Sequence, residues 1–117
     1  MANFVKRDVT LSTKAVGVVE QTIIDPTSCL GDDAILLIIE NTSGVETFNG
    51  YAWASPDGVT QWNVEENDNF QAILPGKTRR MLLPADRLYV RVLGNFAGAP
   101  GTVRISVIML RAASRRG

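Results

Sequence analysis

Residues 102–111, Thr102-Val103-Arg104-Ile105-Ser106-Val107-Ile108-Met109-Leu110-Arg111, decide the fold class. Val103, Ile105, Val107 and Met109 fall on one face and Arg104, Ser106, Ile108 and Leu110 on the other, the period-two pattern of a strand. The second face starts polar and turns apolar toward Arg111, so its far end calls for cover from the N-terminal segment or another subunit. Ala34-Ile35-Leu36-Leu37-Ile38-Ile39 is apolar at every position and predicts a central strand covered on both sides. Further runs rich in Val, Ile, Leu and Thr occupy residues 9–14, 16–24, 34–41, 47–55, 60–65, 70–74, 79–83 and 88–94. Turn chemistry separates them: Asp25-Pro26, Asn41-Thr42-Ser43-Gly44, Pro56-Asp57-Gly58, Pro75-Gly76, Pro84-Ala85-Asp86 and Gly98-Ala99-Pro100-Gly101. No segment carries apolar residues at helical spacing over a helical length. A chain of 117 residues has the size of one domain. The prediction is all-β: a single antiparallel β-sandwich, immunoglobulin-like or jelly-roll, over residues 9–111. An N-terminal arm, residues 1–8, and a basic C-terminal tail, residues 112–117, extend from it.

Composition removes much chemistry. The chain has no His, which excludes His-based acid–base and nucleophilic catalysis and every His-containing zinc site. A single cysteine, Cys29, forbids an intramolecular disulfide and a multi-cysteine metal site. It lies in the turn-like stretch 25–31 and reads as incidental. Residues 1–20 are interrupted by Lys6, Arg7, Asp8 and Lys14, so no signal peptide is expected there, and the longest apolar run, Ala34–Ile39, is too short to span a membrane. The expected site of synthesis is a reducing cytoplasm. Gly94-Asn95-Phe96-Ala97-Gly98 matches neither a P-loop nor a dinucleotide fingerprint. Glu65-Glu66-Asn67-Asp68-Asn69 concentrates oxygen ligands in an expected loop, but lacks EF-hand spacing and reads as a solvated acidic segment rather than a Ca²⁺ site. Asp32-Asp33 reads the same way. Two carboxylates could serve a glycosidase, yet nothing in the sequence marks an acid with a raised pKa. The expectation is no enzyme, no cofactor and no metal.

Ser55-Pro56-Asp57-Gly58-Val59-Thr60 is the strongest local signal, a tight turn with Gly58 free to take positive φ. A two-residue or a four-residue loop both place Trp53 opposite Trp62 and Tyr51 opposite Val64. These aromatics admit two uses: a platform for sugar rings, as in carbohydrate-binding modules, or a cross-strand pair on the core face. Because the opposite face holds Ala52, Ala54, Gln61, Asn63 and Glu65, small and polar, the core reading is the better one. The stretch from Ser55 to Trp62 also resembles the Asp-box of sialidase-type propeller hairpins, with Gly58 one place early. That resemblance implies a turn and no activity.

The zero net charge hides a polarity. Residues 1–68 carry three basic and eleven acidic side chains, and residues 69–117 nine basic and one acidic. Neighbouring strands pair part of this internally. Lys6 and Arg7 precede the first expected strand and Arg115 and Arg116 follow the last, so both ends are basic and the body is acidic. An arm of one copy laid on the body of the next is complementary, and such head-to-tail contacts build rings or lattices. Nucleic acid is the weaker target for a neutral domain with few clustered cations. Phe96, set among small residues in an expected loop, is either an exposed contact or a ring folded over the end of the sandwich.

In size, strand content, its Asn41-Thr42-Ser43-Gly44 and Ser55-Pro56-Asp57-Gly58 turns and its terminal arms, the chain resembles the decoration, or cement, proteins of tailed bacteriophage heads. The resemblance implies a non-enzymatic structural protein, made in the host cytoplasm and resident in the virion, whose partners are copies of itself or a major capsid protein. A tail, collar or fibre-base component fits the same features. The assembly contacts expected on this basis are Phe4, Lys6, Arg7, Phe96, Arg111, Arg115 and Arg116. The rival expectation is a carbohydrate-binding module using Tyr51, Trp53 and Trp62.

Overall fold

The computed structural model describes residues 4–112, except for the side chains of residues 4–8, 65–68, 85 and 112. The period-two runs become eight strands: β1 (Phe4–Val16), β2 (Gln21–Ser28), β3 (Ala34–Asn41), β4 (Phe48–Ser55), β5 (Asn63–Asn69), β6 (Thr78–Pro84), β7 (Tyr89–Phe96) and β8 (Gly101–Ala112). They form two four-stranded antiparallel sheets, ordered β1-β8-β3-β6 and β2-β7-β4-β5. The pairs β1/β8, β2/β7, β3/β6 and β4/β5 nest inside one another, and among these strands only β4 and β5 are consecutive neighbours within a sheet. This winding is the jelly roll, which decides between the two sandwich topologies the sequence allows. The sole helical turn among the described residues is the 3₁₀ turn Ala85–Arg87 before β7.

Strand parity sets the core. From β3, Ile35, Leu37 and Ile39 point between the sheets and are fully buried, as are Val103, Val90 and Val92 from β8 and β7. Phe48 on β4 lies opposite Phe96 on β7, and their rings meet edge to face with centroids 5.6 Å apart. Gly50 and Gly94 face each other on the next inward row of the same two strands. A methyl group on Gly94 would come within 2.6 Å of both the Phe48 ring and the Asn49 carbonyl, so the two glycines form the hollow that admits the ring. Buried Asn41 closes this end of the core. Its Nδ2 donates to the carbonyls of Glu46 (2.7 Å) and Ile73 (2.8 Å), and its Oδ1 accepts from Ser43 N.

Four sequence expectations change. The run 16–24 is two strands, because Gly17 N donates to Gln21 Oε1 (2.9 Å) and turns the chain from one sheet to the other. The run 70–74 is no regular strand. Phe70 and Ile73 still hydrogen-bond along β4, but Ala72 between them has φ +55°, with its N–H held by Asn49 Oδ1 (2.8 Å). The acidic segment 65–69 is part of β5 rather than a loop. β1 is also longer than expected, since its pairing with β8 starts at Phe4–Ala112 and takes residues 4–8 into the sheet.

Gly94→Ala should lower the unfolding free energy in urea by about 1–3 kcal/mol, the usual cost of overpacking. Gly44→Ala, whose added methyl meets nothing within 4 Å, should leave it nearly unchanged.

Candidate functional site

The β4–β5 hairpin organises the first candidate site. Ser55 is buried, and its Oγ accepts from Gly58 N (3.0 Å) while its proton is offered to the Asp57 carboxylate and the Thr60 carbonyl. Asp57 Oδ1 accepts from Val59 N (2.9 Å) and Thr60 N (2.8 Å), and Oδ2 accepts from Thr60 Oγ1 (2.7 Å). These backbone and hydroxyl donors hold the Asp57 carboxyl well below its ordinary value of 3.8. Gly58 takes φ +75°, as the turn reading requires. The network consumes more residues than a tight turn does, so the register slips by two. Trp53 stands opposite Val64 and Ala54 opposite Asn63, in place of the expected Trp53–Trp62 pair.

The expected orientation of this hairpin is overturned as well. Phe48, Gly50 and Ala52 face the core, and Tyr51 and Trp53 stand half-buried on the outer face of β2-β7-β4-β5. Trp62 joins them there by another route: the guanidinium of Arg91 lies over its ring, 4.3 Å from the centroid. Arg91 is the cross-strand neighbour of Trp53, and Leu93 that of Tyr51. Gln71 Nε2 donates to the Tyr51 hydroxyl. The structure thus brings all three candidate aromatics to one face and adds Arg91, whose role sequence reading missed. The signal available was its place on β7, two residues from Leu93, at a strand parity that fixes the outer face.

The second candidate site is the outer face of β1-β8-β3-β6. Register aligns Leu82 (β6), Leu36 (β3), Ile108 (β8) and Val9 (β1) in one row across all four strands. The next row holds Arg80, Ile38, Ser106 and Leu11. Leu11 is 70% exposed, Leu82 54% and Val9 43%. On β1 the alternation is inverted: Val9 and Leu11 point outward, whereas Thr10 and Ser12 face the intersheet space, where they line a cleft of about 230 Å³ with Ile105, Val107 and Met109.

The expected assembly contacts separate. Phe96 is fully buried against Phe48, so it is a core residue and not a contact. Arg111 is half-buried and donates from Nη2 to the Gly31 carbonyl (3.1 Å), which ties the β2–β3 loop to β8 inside the domain. Phe4, Lys6 and Arg7 contribute backbone to β1, with side chains outside the described set, and Arg115 and Arg116 lie outside the described residues. Part of the charge polarity pairs internally, Arg104 on β8 bonding Glu40 on β3 at 3.0 Å. Cys29 is fully buried, and burial, reinforced by the negative charge of Asp32, pushes its thiol up to about 11. No helix among the described residues is long and apolar enough to cross a membrane.

Two measurements follow from these groups. Asp57 is depressed in the fold, so its stabilisation is complete above the unfolded value of 3.8 and is lost as pH falls below it. Asp57→Asn should therefore flatten the fall in melting temperature below about pH 4. Cys29 should resist an aromatic disulfide reagent at pH 8 in the native protein and react within the mixing time in denaturant, because the folded thiol is both covered and protonated.

No protein-family model matches the chain and no curated protein matches it, so the two outer faces carry the functional reading.

Proposed function

We propose that this protein is a non-enzymatic structural subunit of a virion, of the capsid-decoration or cement type, that associates with copies of itself through the outer face of β1-β8-β3-β6. The observation that carries the reading is the row Leu82, Leu36, Ile108 and Val9, with Leu11 beside it. An antiparallel sandwich solvates its outer faces, and apolar rows there mark contact surfaces. The inverted alternation of β1 sharpens this. A strand that packed only within its own sandwich would turn Val9 and Leu11 inward, since a one-residue change of parity suffices. Instead β1 sends hydroxyls to the cleft and aliphatic side chains outside. The jelly roll is an architecture that viral shells share with lectins and cupins, and the absence of histidine from the sequence argues against the cupin-type His metal site. In the sequence Arg115 and Arg116 follow β8, and the first 68 residues carry eleven acidic side chains against three basic, so the end of one copy is complementary in charge to the body of another. A subunit that binds only the assembled state stabilises it by mass action.

Sedimentation at high micromolar concentration tests the reading. The wild-type chain should form a defined oligomer. Leu11→Glu combined with Leu82→Glu, at positions exposed in the single copy, should raise its dissociation constant by about 100-fold or more while leaving the melting temperature measured at monomer dilution nearly unchanged, since each covered leucine contributes about 1.5–3 kcal/mol. A chain that stays monomeric, or an oligomer indifferent to the double substitution, overturns it. Truncation after Ala112 should weaken association most at low salt.

A further inference from the structure

We propose that the outer face of β2-β7-β4-β5 is a glycan-binding site and that its ligand is a neutral pyranose oligosaccharide. Tyr51 and Trp53, two residues apart on β4, place two half-buried aromatic side chains about 7 Å apart along one strand face. Trp62 stands beside them, held by Arg91 at 4.3 Å, so a third ring and a guanidinium join the same surface. A pyranose ring has an apolar C–H face and a perimeter of hydroxyls. Aromatic faces cover the first by dispersion, and planar donors such as guanidinium and carboxamide groups reach the second. Arg91 and Gln71 are those planar groups.

Two features favour this occupant over others. Arg91 makes no ion pair and no hydrogen bond with any described residue; its Nε is buried, so its terminal Nη groups, committed only to the Trp62 face, are the ones that can meet ligand oxygens. Its fixed position on the ring lowers the entropy lost when they do. Charge then selects among ligands. β5, hydrogen-bonded beside β4, carries Glu65, Glu66 and Asp68 in its sequence. In sequence the four strands of this sheet carry Asp25, Glu65, Glu66 and Asp68 against one base, Arg91, and that net negative charge disfavours nucleic acid and uronate-bearing glycans and leaves neutral sugars as the class the surface accepts.

The test uses the full chain on an array of neutral and uronate-bearing oligosaccharides, followed by fluorescence titration with any neutral ligand found. The chain contains only two tryptophans, Trp53 and Trp62, so its intrinsic emission reports on this face alone. A neutral oligosaccharide should bind and shift that emission. Trp62→Ala and Arg91→Ala should each weaken binding about tenfold or more, and Val45→Ser, in the exposed loop between β3 and β4, should not. Far-UV circular dichroism identifies a variant that fails to fold. Tyr51→Phe, which keeps the ring, should then retain most of the affinity, and Tyr51→Ala should lose it. Absence of any neutral ligand, binding confined to uronates, or affinity unchanged by the Trp62, Arg91 and Tyr51→Ala substitutions overturns the proposal. The oligomer measured by sedimentation involves the opposite sheet, so either result can fail without the other.

Discussion

A strand gives each side chain one face and no choice about it; the central strand β3 is apolar on both over residues 34–39, and its neighbour β8 is apolar inward and, from Ile108 on, outward as well. Their inward residues, Ile35, Leu37 and Ile39 with Val103 and Ile105, make the core that holds the sheets together. Their outward residues, Leu36, Ile38 and Ile108, cannot share in it, because period two is a property of the backbone. Val9 on β1 and Leu82 on β6 extend that outward set from one sheet edge to the other. The same constraint therefore supplies the domain with its interior and leaves it with an unfinished exterior. The proposed self-association is what would cover it.

The opposite sheet solves a different packing problem. Three phenylalanines, Phe48, Phe70 and Phe96, are fully buried, and their rings need room. Gly50 and Gly94 give it to Phe48 by having no side chain. With the inward positions of β4 taken by these residues, Tyr51 and Trp53 have only the outer face left. The aromatic face is thus a by-product of how the core is filled, and Arg91 converts it from a greasy patch into a mixed surface.

Much of the architecture was legible. Alternation at residues 102–111 and the run 34–39 identify β8 and β3, and turn clusters separate most of the strands. The two outer sites were harder to read, for physical reasons. Small residues opposite the tryptophans suggested a solvated face, but Ala52 is buried and Gly50 is small because the Phe48 ring fills the space beside it. Turn chemistry at Pro56-Asp57-Gly58 was right in kind. The hydrogen bonds of Ser55 and Asp57 lengthened the loop beyond any standard hairpin, and no rule about turn residues foresees that. Phe96 admitted both an exposed and a folded-back reading because its neighbours 97–101 are turn formers, whereas its position on β7 places it at inward parity with Val90 and Val92. The row across the other sheet could not be read at all without the strand order, since Leu82, Leu36, Ile108 and Val9 come from four separate stretches of chain.

The nesting of β1 against β8 also has a consequence in time. The first strand of the fold is bonded, over nearly its whole length, to the last. At about 5–20 residues per second, β1 leaves the ribosome roughly 5–20 s before β8 is complete. For that interval Val9 and Leu11 have neither the sheet nor a neighbouring copy to lie against. Only the β4–β5 hairpin can close early on its own neighbours in sequence, and the loop network of Ser55 and Asp57 stands at its tip. Birth of this domain is therefore a wait followed by a single closing event, and a nascent chain stalled before residue 101 exposes an apolar edge ready to capture the wrong strand.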